Sequence, residues 1–165
     1  MTSSLSRIAV ASAVLLTTLA CNKSPAVPAA ARNTAAVLAG GERGSAASNP
    51  LCKLFTEAEV AAYEGIGVNP GKDAAMGMGC QWTDVAGDNS AMVQVVPANY
   101  HEPTSEAPGF KKLAGVGSEG FIVPQMGGWH AAAIAGSHSV NVLTGGKSDE
   151  AKTVAFLKEA IKRAG

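Results

Sequence analysis

Three histidines and one serine–glutamate pair set among glycines are the residues of this chain best suited to chemistry. His101, His130 and His138 could hold a metal ion, since neutral imidazole is a common ligand for transition metals. Their placement argues against it. In a hairpin over "WHAAAIA" and "HSVNVLTGG", His130 pairs near Leu143 while His138 sits beside the turn, so the two stand at opposite ends. Surface histidines and no metal site are the expectation. Ser118-Glu119 lies in "GVGSEGF", but a nucleophile elbow needs G-x-S-x-G, and here serine and glutamate fill the space between glycines. A phosphate loop would need a lysine and a preceding strand that this segment lacks. A tight turn entering a strand accounts for the glycines. No catalytic residue, no cofactor and no enzymatic activity are predicted.

The cysteines say more. Residues 8–19, "IAVASAVLLTTL", form an apolar run of 12 behind the short polar start "MTSSLSR", and Ala20 precedes Cys21. A basic start, a short apolar run and a small residue before a cut describe an export signal over residues 1–20. A membrane-spanning helix needs about 20 apolar residues, and this run is too short. "TLAC" resembles the lipobox of bacterial lipoproteins, with Thr18 where leucine is usual. That resemblance implies cleavage before Cys21, a lipid on its sulfur and a further acyl chain, such as palmitate, on the freed amine. An ordinary secretory signal followed by a chance cysteine is the alternative. One acyl chain gives marginal membrane binding, whereas two or three give stable attachment. Asn22 after the cysteine, by resemblance to Gram-negative sorting rules, favours the outer membrane. The expected location is the membrane surface facing the periplasm or the cell exterior.

Residues 22–49 are rich in Ala, Ser, Pro and Gly and hold no aromatic side chain. Such a stretch buries too little to offset its ordering entropy, and it reads as a flexible tether. As a random coil it spans roughly 30 Å on average. A first helix around residues 34–39 is the alternative.

A folded domain is expected over residues 50–165. In an exported chain its even pair, Cys52 and Cys80, predicts a disulfide. The closed loop is worth roughly 3–4 kcal/mol in the chain-entropy model. Trp82, beside Cys80, reads as packing over that bridge. Trp129 follows Gly127-Gly128 at a strand start and, with Met126, is the candidate contact for a ligand or partner.

These residues need elements to position them. "TEAEVAAYEG" opens with Thr56 three residues ahead of Glu59, a capping box, and Gly65 stops the helix. "GCQWT", "AMVQVV", "EGFIVPQ", "WHAAAIA" and "HSVNVLTGG" alternate as strands. "EAPGFKKLAG" forms either a short helix or an irregular crossing. Gly136-Ser137 turns a hairpin in which Ala133 faces Val140 and Ala131 faces Val142. The last segment is an amphipathic helix, capped by Ser148, with Val154, Leu157 and Ile161 on its apolar stripe. Together these predict an α+β, two-layer fold: an antiparallel sheet of about four to five strands in meander order, covered on one face by helices.

Charged residues make up 16% of the chain and the formal net charge is +0, which gives no reason to invoke nucleic acid. "LCKLFTEAEVAA", "GCQW" and "AGVGSEGF" together resemble small bacterial lipoprotein domains of unknown function, best known from actinobacteria. The likeness covers residues 50–165 and supports both the Cys52–Cys80 bridge and the α+β fold. It carries no catalytic role. The expected function is a lipid-anchored, non-enzymatic envelope module that binds a protein or glycan, in one form as an inhibitor or immunity protein. A small-ligand carrier, with a groove between sheet and last helix and with Trp129 and Met126 at its mouth, is the alternative.

Overall fold

The computed structural model describes residues 48–164. The expected signal segment, Cys21 and the expected tether up to residue 47 lie outside the described residues. Asn49, the last residue expected in the tether, belongs to the domain. It is buried, caps the 3-10 turn Pro50–Lys53 by accepting from the Leu51 N–H, and donates to the Gly79 carbonyl at 2.7 Å.

The fold is α+β, as expected, but the antiparallel sheet has seven strands rather than four to five. They are β1 (Lys72–Ala74), β2 (Gly79–Thr83), β3 (Ser90–Pro97), β4 (Lys111–Lys112), β5 (Ser118–Gln125), β6 (Gly128–Ala135) and β7 (His138–Thr144), in the order β1-β2-β3-β7-β6-β5-β4. The two additions, β1 and β4, are the edges. At three and two residues they are too short to show a period of two. Nor is the sheet one meander. After β3 the chain crosses to the far edge and winds back through β5 and β6, so that β7 pairs with β3, Val93 opposite Val142.

The central hairpin keeps the expected register, with Ala131 opposite Val142, Ala133 opposite Val140 and His130 opposite Leu143. Its turn needs a glycine, since Gly136 has φ +60°, the conformation a two-residue hairpin asks of its first residue. The alanines are fully buried and let a helix lie close against the sheet.

Two helices cover this face. Helix α1 (Glu57–Glu64) starts with the complete Thr56/Glu59 capping box and ends at Gly65 in the left-handed conformation. Helix α2 (Glu150–Ala164) buries Thr153, Phe156, Leu157 and Ala160. Val154 and Ile161, placed at the centre of its stripe from the sequence, flank it and are only partly buried. Its cap also differs from expectation. Asp149 Oδ1 accepts the Lys152 N–H at 2.8 Å, while Ser148 is drawn inward to donate to the Tyr63 carbonyl at 3.0 Å.

The core between the layers joins Phe55, Val60, Trp82, Val93, Ile122, Val142, Phe156 and Leu157. Cys52 and Cys80 form the predicted disulfide, their Cα atoms 5.1 Å apart. A Cβ on Gly71 would meet the Cys80 sulfur and the Trp82 indole, so glycine is required where the chain passes over the bridge.

Candidate functional site

Three chain segments meet at one end of the sheet and leave an open cleft of about 270 Å³. They are the β2–β3 turn, the β5–β6 turn and the loop that leaves β7. Trp129 and Met126, the two contacts expected from the sequence, both line it, with Asp88, Asn89, Leu143, Thr144, Gly145 and Gly146. The cleft does not lie between sheet and last helix. There Ala131, Ala133, Phe156, Leu157 and Ala160 are fully buried against one another.

The local chemistry holds the rim in place. Asp84 Oδ1 and Oδ2 accept from the Asp88 N–H at 2.9 Å and from Asn89 Nδ2 at 2.7 Å. The Asn89 side chain is the main cause holding the Asp84 carboxyl below its ordinary range. Asn89 Oδ1 then accepts the Gly146 N–H at 3.1 Å, tying the β2–β3 turn to the loop after β7. On the other side Gly128 lies so close to β7 that a Cβ there would overlap the Thr144 carbonyl. That contact seats Trp129 opposite Thr144.

Met126 forms the remaining rim. With Gly127 it makes a two-residue hairpin turn, both residues at positive φ (+50° and +79°). This turn type favours Asn-Gly, because asparagine tolerates the left-handed region and a long side chain does not. Methionine stands there nonetheless, 95% exposed. Val85, on the neighbouring β2–β3 turn, is 86% exposed. This end of the sheet therefore presents two bare apolar tips, of which Met126 lines the cleft with the partly buried Trp129.

Behind the cleft lies a residue the sequence reading missed. Glu64, the last residue of α1, is fully buried; its Oε2 accepts the Gly145 N–H at 3.1 Å and its Oε1 has no partner. Burial pushes its pKa up to about 7, with the Gly145 N–H and Lys152 pulling it down and Asp84 pushing it up. Its position at the end of a short helix gave no sign of this. Only the position of β7, fixed by a pairing far along the chain, places the loop over it.

The histidines divide. His138 is exposed beside the β6–β7 turn, distant from His130 in the register as expected. His101 and His130, expected at the surface, are partly buried and both pack on Phe121, at 5.5 and 5.2 Å between ring centres. One hydrogen-bond chain joins them on the face opposite the helices. His130 Nε2 donates to Asn141 Oδ1 (3.3 Å), Asn141 Nδ2 to Ser139 Oγ (3.2 Å), and Ser139 Oγ to His101 Nδ1 (2.9 Å). His101 Nε2 donates to the Glu119 carbonyl at 3.0 Å. Burial lowers the His130 pKa, against the Asn141 hydrogen bond that raises it. The Ser139–His101 pair has the elements of a nucleophile and its base, but Ser139 is fully buried. It serves to pin the crossing segment around His101 onto the sheet. Ser118 and Glu119 sit in a β-bulge at the start of β5. Among the described residues, no three His, Cys, Asp or Glu side chains gather closely enough to hold a metal ion.

No helix among the described residues is long and apolar enough to cross a membrane. Comparison of the chain with protein-family models, with curated proteins and with solved structures finds no match.

Proposed function

We propose that this chain is a non-enzymatic, lipid-anchored module of the cell envelope that docks a protein partner on the end of its sheet. The single observation that carries the docking site is Met126. It is an apolar side chain left almost wholly in solvent, on a backbone conformation it disfavours, at a cleft it lines with Trp129. Local strain of this kind is retained at sites where it serves binding. Methionine adapts its shape to a partner surface, and tryptophan supplies contact area at low entropic cost.

A protein partner fits better than an enclosed small molecule. Pockets for small ligands run from about 300 to 1,000 Å³ and bury most of their occupant. This cleft is smaller and open, suited to one inserted apolar side chain beside Met126 and Trp129. Strand addition at the edges is disfavoured. Edge β4 consists of two exposed lysines and edge β1 begins with another, the pattern that guards sheet edges against pairing.

The anchor rests on the sequence: the short apolar run, "TLAC" and the tether that would hold the domain away from the lipid. The resemblance to small bacterial lipoprotein domains agrees with it. A photoreactive residue placed at position 126 in intact cells tests the docking site. A discrete protein adduct is the expected result. An uncross-linked monomer whose melting temperature rises with an envelope lipid or metabolite extract would instead favour the small-ligand carrier.

A further inference from the structure

The loop after β7 lines the cleft, and one carboxyl group and two hydroxyls hold it from behind. Glu64 Oε2 takes the Gly145 N–H at 3.1 Å, Ser148 Oγ reaches the Tyr63 carbonyl at 3.0 Å, and Thr144 Oγ1 meets Thr153 Oγ1 at 2.7 Å. The two hydroxyl contacts do not titrate in the physiological range; the Glu64 contact does.

We propose that Glu64 is a proton-controlled latch on the 144–148 loop, closed when its carboxyl is protonated and loosened when it ionises. The geometry makes the ionised form costly. The group is fully buried, it receives one hydrogen bond, and Oε1 has none. It also stands at the C-terminal end of α1, where free carbonyls concentrate negative potential. The charges around it do not compensate. Asp84 faces it from the β2–β3 turn and opposes ionisation, and Lys152 faces it from α2 and favours it. The Lys152 ammonium lies over Gly65, next to the Lys147 backbone, and makes no ion pair with Glu64. An ionised Glu64 is relieved most directly by water, which enters if the loop lifts Gly145 away from the carboxyl.

Lifting the loop frees the carboxyl to titrate near its ordinary value, while the closed form holds its proton up to about pH 7. Opening therefore releases one proton across that interval. The opening equilibrium then rises about ten-fold per pH unit between roughly pH 5 and 7 and levels off above. As a means of regulating docking, the latch rests on the cleft reading above. As a property of the fold, it rests on the contacts of Glu64 alone.

Amide hydrogen exchange on the 15N-labelled intact chain tests it, with each rate divided by its intrinsic, pH-dependent value. The corrected rate at Gly145 should climb about ten-fold per pH unit from roughly pH 5 to 7 and stay level in Glu64→Gln. A flat corrected rate in the wild type, or the same climb in Glu64→Gln, would overturn the latch. Should Glu64→Gln not fold, the wild type suffices. The Glu64 carboxyl 13C shift and the Gly145 amide shift must move together with a midpoint near 7, and a midpoint near 4.5 would overturn the proposal. None of these readings depends on whether a partner binds the cleft.

Discussion

Arg163, near the end of the last helix, meets Glu59, in the first turn of the other, at 2.8 Å across the top of the core. The same guanidinium donates to Glu159 at 2.8 Å and to the Leu54 carbonyl at 2.6 Å, and lies 4.4 Å over the Phe55 ring. One side chain thus joins the residues after the disulfide, α1 and α2. Arg163→Ala should cost about 1–3 kcal/mol in urea unfolding, and Arg163→Lys should recover less than half, because a lysine cannot reproduce the planar fork. Full recovery by lysine would show that only the charge matters.

Glu59 and Glu64 should give stability pH dependences of opposite sign. Arg163 first, then the Thr56 cap, holds Glu59 down at about 2. Its contribution is present above the ordinary glutamate pKa and is lost as pH falls towards 2. Solvent screening of this two-fifths exposed side chain keeps that share at about 1 kcal/mol. Glu64 is raised to about 7. Its contribution is full below pH 4.5 and is lost as pH rises to 7, by at most about 3 kcal/mol. Denaturant midpoints from pH 3 to 8 check this, and Glu64→Gln should remove the loss between pH 4.5 and 7 while leaving the acid limb in place.

Reducing the Cys52–Cys80 bridge should lower stability by roughly 3–4 kcal/mol, the entropy of the loop it closes. Urea titration with and without a reductant measures the loss, and alkylation confirms that both thiols are free. An unchanged midpoint with both thiols alkylated would contradict the structural role.

Replacing Met126 by asparagine should raise stability by about 0.5–1 kcal/mol, since asparagine suits the left-handed conformation, while weakening partner capture. A stability gain with capture intact would mean that the methionine is incidental. Cys21→Ser, in turn, should abolish fatty-acid labelling and release the protein from membranes. Persistent labelling would remove the lipobox reading.

Local signals in the sequence carried far. The Thr56–Glu59 box, the Gly65 stop, the register of the β6–β7 hairpin and the disulfide each depend on residues close in the chain or on one cysteine pair. Trp129 and Met126 stood out because a glycine pair separates them at a strand start. What was hidden depends on distant pairing. The β3–β7 contact brings Gly145 over Glu64 and sets Ser139 beneath His101, and neither residue shows this in its own neighbourhood. In α2 the sequence offered Val154 and Ile161 as readily as Phe156 and Thr153. The arrangement of the sheet and of Phe55 selects the latter pair, with Thr153 satisfied by Thr144.

The claim that this end of the sheet is a docking site is tested most directly by position-specific cross-linking in intact cells. A photoreactive residue replaces Met126 in one strain and Tyr100, exposed at the opposite end, in another. A discrete adduct from position 126 that disappears on Trp129→Ala, with none from position 100, is the predicted result. Equal adducts from both ends, or an adduct from position 126 that survives Trp129→Ala, would contradict the account.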